Sequence, residues 1–98
     1  MPKFELEPYV LDVLMPDLVG HDRRPASFVV YLYLLGVSAR LRKDRVSASL
    51  QTIATKTGLS KSTVQSALRH LSRRGLIDPR ERASTVNPVR RVLKPWLR

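Results

Sequence analysis

Lys61, Ser62, Gln65, Ser66 and Arg69 fall within nine residues and recur at three- and four-residue steps. On a helix that spacing gathers them on one outward side. Their chemistry is recognition by hydrogen bonds. A glutamine carboxamide matches the donor–acceptor pair of adenine, and Arg69 or Lys61 can reach guanine O6 and N7. Ser62 and Ser66 are small enough for close approach to a base or a phosphate. Catalytic chemistry has no comparable foothold. The chain has no cysteine, and His21 and His70 stand far apart without a carboxylate pair at ligand spacing, so neither a metal nor a cofactor is expected. It shows no acid–base pair, activated nucleophile or glycine-rich phosphate loop, and the expectation is a binding protein rather than an enzyme.

Charge points to the same kind of partner. Eighteen Lys and Arg against eight Asp and Glu leave a net +10 in 98 residues, with a pI near 11.1. The signs are segregated: residues 1–22 hold one lysine and five acids, and the rest of the chain holds seventeen bases against three acids. Such a distribution suits a polyanion, most often nucleic acid. The apolar run "FVVYLYLLGV" (28–37) is too short to span a bilayer. No basic amphipathic stretch carries exposed Trp, Phe and Leu on one face, so a membrane surface is not an expected partner. The start "MPKFELEP" lacks the pattern of a secretory signal, and a cytoplasmic protein is expected.

Several elements must position the polar face. Leu6, Val10, Val13, Leu14 and Leu18 fit a short amphipathic helix, which Pro16 should end or kink. After the loop "VGHDRRP" (19–25), a second helix is predicted over 26–41, apolar on nearly all sides and central to the core. Val46 and Ser47 can form a short strand. Ser49 is placed to cap a helix over 50–57 with Gly58 just past its end, and Ser60 to cap the next helix. Val64, Ala67, Leu68 and Leu71 give that helix its buried side, and "RRG" (73–75) its stop. "LID" (76–78) and "VRRVL" (89–93) then look like two strands around a polar loop.

"QTIATKTGLSKSTVQSALRHL" (51–71) joins two helices through three or four residues. Glycine at position 58 permits the positive φ that turns the chain sharply, and so short a turn forces a steep crossing. Ala54, Gly58 and Val64 stand at the spacing of the helix-turn-helix signature. With "LSRRGLID" following, the chain resembles winged helix-turn-helix regulators of the bacterial type over roughly residues 26–95.

The resemblance implies a mainly α fold with a small β-hairpin: a three-helix core plus wing, with an extra N-terminal helix. It divides the chain into an acidic helical segment and loop (1–25) and a DNA-binding domain (26–98). The recognition helix, 60–74, would enter the major groove of double-stranded DNA with Lys61, Ser62, Gln65, Ser66 and Arg69 towards base edges. Thr52, Lys56, Ser60, Thr63, Arg73 and Arg74 would meet the backbone. Arg80, Arg82, Arg90 and Arg91 would charge a wing at 76–94 for phosphates or the minor groove. His70 is expected at the surface without a role, and Trp96 to pack on the core and fasten the last strand. The N-terminal helix either pairs two subunits into a homodimer or covers the domain's own core. Besides sequence-specific transcription regulation, the same module fits a replication, partition or nucleoid component, or a protein–protein adaptor.

Overall fold

The computed structural model describes residues 3–80 and 89–97. Near the N-terminus a helix is wound in two successive segments, Val10–Leu14 and Pro16–His21. Its bonds reach back five residues: the Met15 N–H donates to the Val10 carbonyl, and the Asp22 N–H to that of Asp17. The helix therefore continues past Pro16, where the sequence predicts an end or a kink. This wider π-type winding relieves the clash of the proline ring with the carbonyl four residues back. It also resets which side chains point inward. Val10, Leu14 and Leu18 are buried at four-residue steps, whereas Val13, expected among them, is exposed.

Helix α1 (Pro25–Leu41) has proline in its first turn, where the missing N–H has no helical acceptor to lose. It buries Phe28, Val30, Tyr31, Leu34 and Leu35 and packs against the N-terminal helix and the two helices that follow it in the chain. It is the central element of the core, as its apolar run predicts. Strand β1 (Arg45–Ser47) follows. Helix α2 (Leu50–Thr57) starts at Ser49, whose hydroxyl accepts the Thr52 N–H at 3.1 Å. It stops at Gly58, with φ 81, whose N–H bonds the Ala54 carbonyl. Helix α3 (Lys61–Arg73) begins after Ser60, whose hydroxyl accepts the Thr63 N–H at 3.1 Å. Both serine caps and the glycine turn stand where the sequence puts them. Ile53, Val64 and Leu71 are fully enclosed between these helices.

Strand β2 (Val89–Arg91) pairs antiparallel with β1, Val46 opposite Arg90. The segment at 76–78 joins the other edge of β2 through a single bridge, Ile77 to Val92, with the Asp78 N–H donating to Arg91 and the Leu93 N–H to Leu76. The expected pairing of 76–78 with 89–93 is thus present but short, and β1 supplies the longer partner. Pro79 has no N–H with which to extend the first.

Two contacts fasten the end of the chain. The Tyr31 phenol donates to the Leu93 carbonyl at 2.6 Å, and burial pushes its ionisation well up. Trp96 stacks on Tyr9, ring centroids 4.8 Å apart, and its indole N–H donates to Glu7 at 2.6 Å. Trp96 therefore packs, as expected, but it clasps the N-terminal segment.

At Gly58 an added Cβ would meet nothing within 4 Å, so a substitution there is penalised by backbone conformation alone. Gly58→Ala should lower the unfolding free energy by about 1 kcal/mol. Urea unfolding measures it, and unchanged stability would mean that the turn does not need the left-handed conformation.

Candidate nucleic-acid interface

Helix α3 is divided lengthwise. Val64, Ala67, Leu68 and Leu71 are buried against α1 and α2, while Lys61, Ser62, Gln65, Arg69 and Arg73 are exposed. At its start, Ser60 also bonds the hydroxyls of Thr63 and Ser62. These three hydroxyls sit beside backbone N–H groups that lack helical partners, a place where a phosphate is favoured. Thr52 and Lys56 are exposed on α2.

Between α3 and β2 lies a notch of about 530 Å³. Its polar walls are Gln65, Arg69, Ser72, Arg73 and Arg90, over Leu50 and Leu68. Arg90 is about half-buried, and burial lowers its guanidinium from the usual value. Its Nε donates a 3.3 Å bond to the Ala48 carbonyl. Among the described residues no carboxylate pairs with Lys56, Lys61, Arg69, Arg73 or Arg90. A half-buried cation without a counter-charge is costly, and an anion entering the notch offsets that cost.

The other expected contacts are held differently. Ser66 is half-buried and accepts from Arg24 Nη1 at 2.9 Å, which turns it from the exposed side of α3 towards the start of α1. Arg74 pairs with Asp17 and, at 3.2 Å, with Asp22 on the N-terminal helix. Arg91 is neutralised by Asp44 at 3.0 Å and Asp78 at 3.3 Å. Arg80 bonds Asp78 but remains 85% exposed. Asp78 is itself buried, and its bonds from the Arg80 side chain and backbone hold its carboxyl below the usual carboxylate range. Arg82 lies outside the described residues.

His70 corrects the sequence reading: it is 7% exposed and fully engaged. Its Nδ1 meets the Ser27 hydroxyl at 2.8 Å and its Nε2 the Asp22 carboxylate at 2.8 Å. A carboxylate only accepts, so Nε2–H donates to Asp22, and in the neutral ring Nδ1 accepts from Ser27. The order serine, histidine, aspartate is that of a hydrolytic triad. Here Ser27 is 1% exposed, enclosed within the packing of α1, and the chain of bonds serves to lock α3 to α1 and to the N-terminal helix. The partners lie 43 and 48 positions apart, and no local pattern announces them. The one hint is a serine inside an apolar helix. The fold also gathers His21 with Asp17 and Asp22, ligand atoms within 4.8 Å, which corrects the sequence reading. Asp17 lies one helical turn before His21 and Asp22 directly after it, so this histidine does have a carboxylate pair beside it. Arg74 and His70 already bind those carboxylates.

Residues 24–77, more than half of the chain, match the family described as helix-turn-helix domain. The chain belongs to that family: it is a helix-turn-helix DNA-binding domain, mainly helical with a two-stranded antiparallel pairing. No curated protein and no solved structure matches it significantly. No helix among the described residues is long and apolar enough to cross a membrane.

Asp22 connects this site to pH. Hydrogen bonds from His21 and His70, with Arg74 alongside, hold its carboxyl below the usual range. A depressed folded pKa stabilises the protein fully above the unfolded value, about 3.9, and that contribution is lost as pH falls through the lower folded value. Asp22→Asn should be less stable than the parent at neutral pH and lose less stability on acidification below about pH 4. Urea unfolding at several pH values tests this; parallel pH profiles would contradict the link.

Proposed function

We propose that the protein binds double-stranded DNA sequence-specifically and regulates transcription, with α3 in the major groove and β2 carrying Arg90 to the flanking backbone. The observation that carries this reading is the partition of charge around α3. Among the described residues the cations on its outer side and in the notch beside it have no carboxylate partner, whereas Arg74, Arg80 and Arg91 are ion-paired within the fold. Gln65 and Arg69, exposed one turn apart, carry the bidentate groups that read adenine and guanine. Lys61 and Ser62 extend that readout towards the start of the helix. Thr52, Lys56, Ser60, Thr63 and Arg73 position the backbone. Ser66 and Arg74 act through the protein, holding α3 at its angle.

The N-terminal helix supports a homodimer as well as a covered core. Val10, Leu14 and Leu18 seal the domain, while Tyr9, Leu11, Val13, Met15 and Val19 are between 37% and 43% exposed. A helix with one apolar side in the core and another in water is suited to self-association. A dimer of this kind would favour a palindromic DNA site.

Selection from a random duplex DNA library at near-physiological salt tests the function. One enriched motif is expected, and its symmetry reports the oligomeric state. Binding without enrichment would favour a replication, partition or nucleoid role; no binding by folded protein would favour an adaptor. Two variants separate the parts of the interface. Arg90→Ala should weaken binding evenly across sequences and reduce the salt slope by about one. Gln65→Ala should relax preference at one position with the slope unchanged; an intact preference would remove Gln65 from the readout.

A further inference from the structure

Away from the outer side of α3, residues 4–7, the end of α1 and the strand running on from β2 enclose an open crevice of about 520 Å³. Small-molecule sites are commonly about 300–1,000 Å³, with apolar walls and a few convergent polar groups. Leu6, Val10, Leu35 and Val92 form the apolar floor, the last three at most 5% exposed. The charged groups around it are unevenly satisfied. Glu7 binds Lys94 and Trp96, and Asp44 binds Arg91. Arg42 and Lys43, adjacent on one lip, have no carboxylate partner among the described residues. Glu5, on the opposite lip, also lacks a cationic one.

Arg42 supplies a second, independent observation. It terminates α1 in the left-handed region, φ 55 and ψ 40. Glycine takes that conformation without strain, and an arginine does not. The chain thus keeps a guanidinium at the lip of an apolar crevice at a conformational cost. Arg23 shares the φ of 55 outside the crevice, so it is the position of Arg42 on the lip that gives its strain a use.

We propose that this crevice binds a small amphipathic anion, its apolar body on the Leu6–Val10–Leu35–Val92 floor and its carboxylate or phosphate against Arg42 and Lys43. The binding is independent of the DNA reading, because none of the exposed residues of α3 lines the crevice.

Calorimetric titration of the full chain with decanoate, kept below its aggregation limit, tests the proposal. Saturable one-to-one binding is expected. Arg42→Gly should weaken it about tenfold, the loss of one charge-assisted hydrogen bond, while the melting temperature stays level or rises. Arg40→Ala removes a cation from the same helix end but outside the crevice, and should leave decanoate binding unchanged. Decyltrimethylammonium, with the same tail and a cationic head, should not bind. The proposal is overturned by absence of saturation, by equal binding of the cationic amphiphile, or by an equal loss in Arg40→Ala, which would reveal adsorption to a basic surface. A fall in melting temperature for Arg42→Gly would remove the argument from backbone strain. Phosphate-headed and carboxylate-headed probes of equal tail length then distinguish the two head groups.

Discussion

Helix α3 must be buried along one side and bare along the other, and the rest of the molecule is arranged around that requirement. The apolar side, Val64, Ala67, Leu68 and Leu71, is satisfied by α1 and α2. Apolar packing is non-directional, however, and alone would tolerate rotation or sliding of α3. The chain Ser27–His70–Asp22 supplies direction. Its two 2.8 Å bonds leave no buried polar atom unpaired at this contact, and any rotation of α3 would orphan one of them. Arg24 on Ser66 and Arg74 on Asp17 and Asp22 brace the same edge.

This bracing separates the charges. Asp17 and Asp22, at the end of the N-terminal helix, sit at the inner edge of α3, where they neutralise Arg74 and hold His70, rather than beside Lys61, Arg69 or Arg73. Asp44 and Asp78 do the same for Arg91 and Arg80. The field left on the outer side is positive, and a half-buried Arg90 sits in the notch next to it. A polyanion approaching that side meets cations that no carboxylate among the described residues engages, so its charge has no competitor there.

Local chemistry made much of the fold legible. Ser49 and Ser60 are caps because their hydroxyls reach N–H groups three residues on, and Gly58 is a turn because it alone tolerates φ 81 cheaply. The run 28–37 had to lie in the core. The N-terminal helix was legible as a helix but not in its facing, because its bonds span five residues and Val13 turns outward. Among the site residues, Lys61, Ser62, Gln65 and Arg69 are exposed as their spacing predicts. Ser66, His70 and Arg74 differ for a shared reason: each is claimed by a residue at least 42 positions earlier.

The amino-acid sequence by itself determined the order of elements, the sharp turn at Gly58, the buried side of α3 and the excess of positive charge. These depend on neighbours within a few residues or on simple counts. Only the tertiary structure decided which cations stay unpaired, where Asp22, Ser27 and His70 meet, and that Arg90 lines a notch beside α3. Ion pairs and buried hydrogen bonds need atoms within about 3 Å, and distances that short between remote residues exist only once the chain has packed.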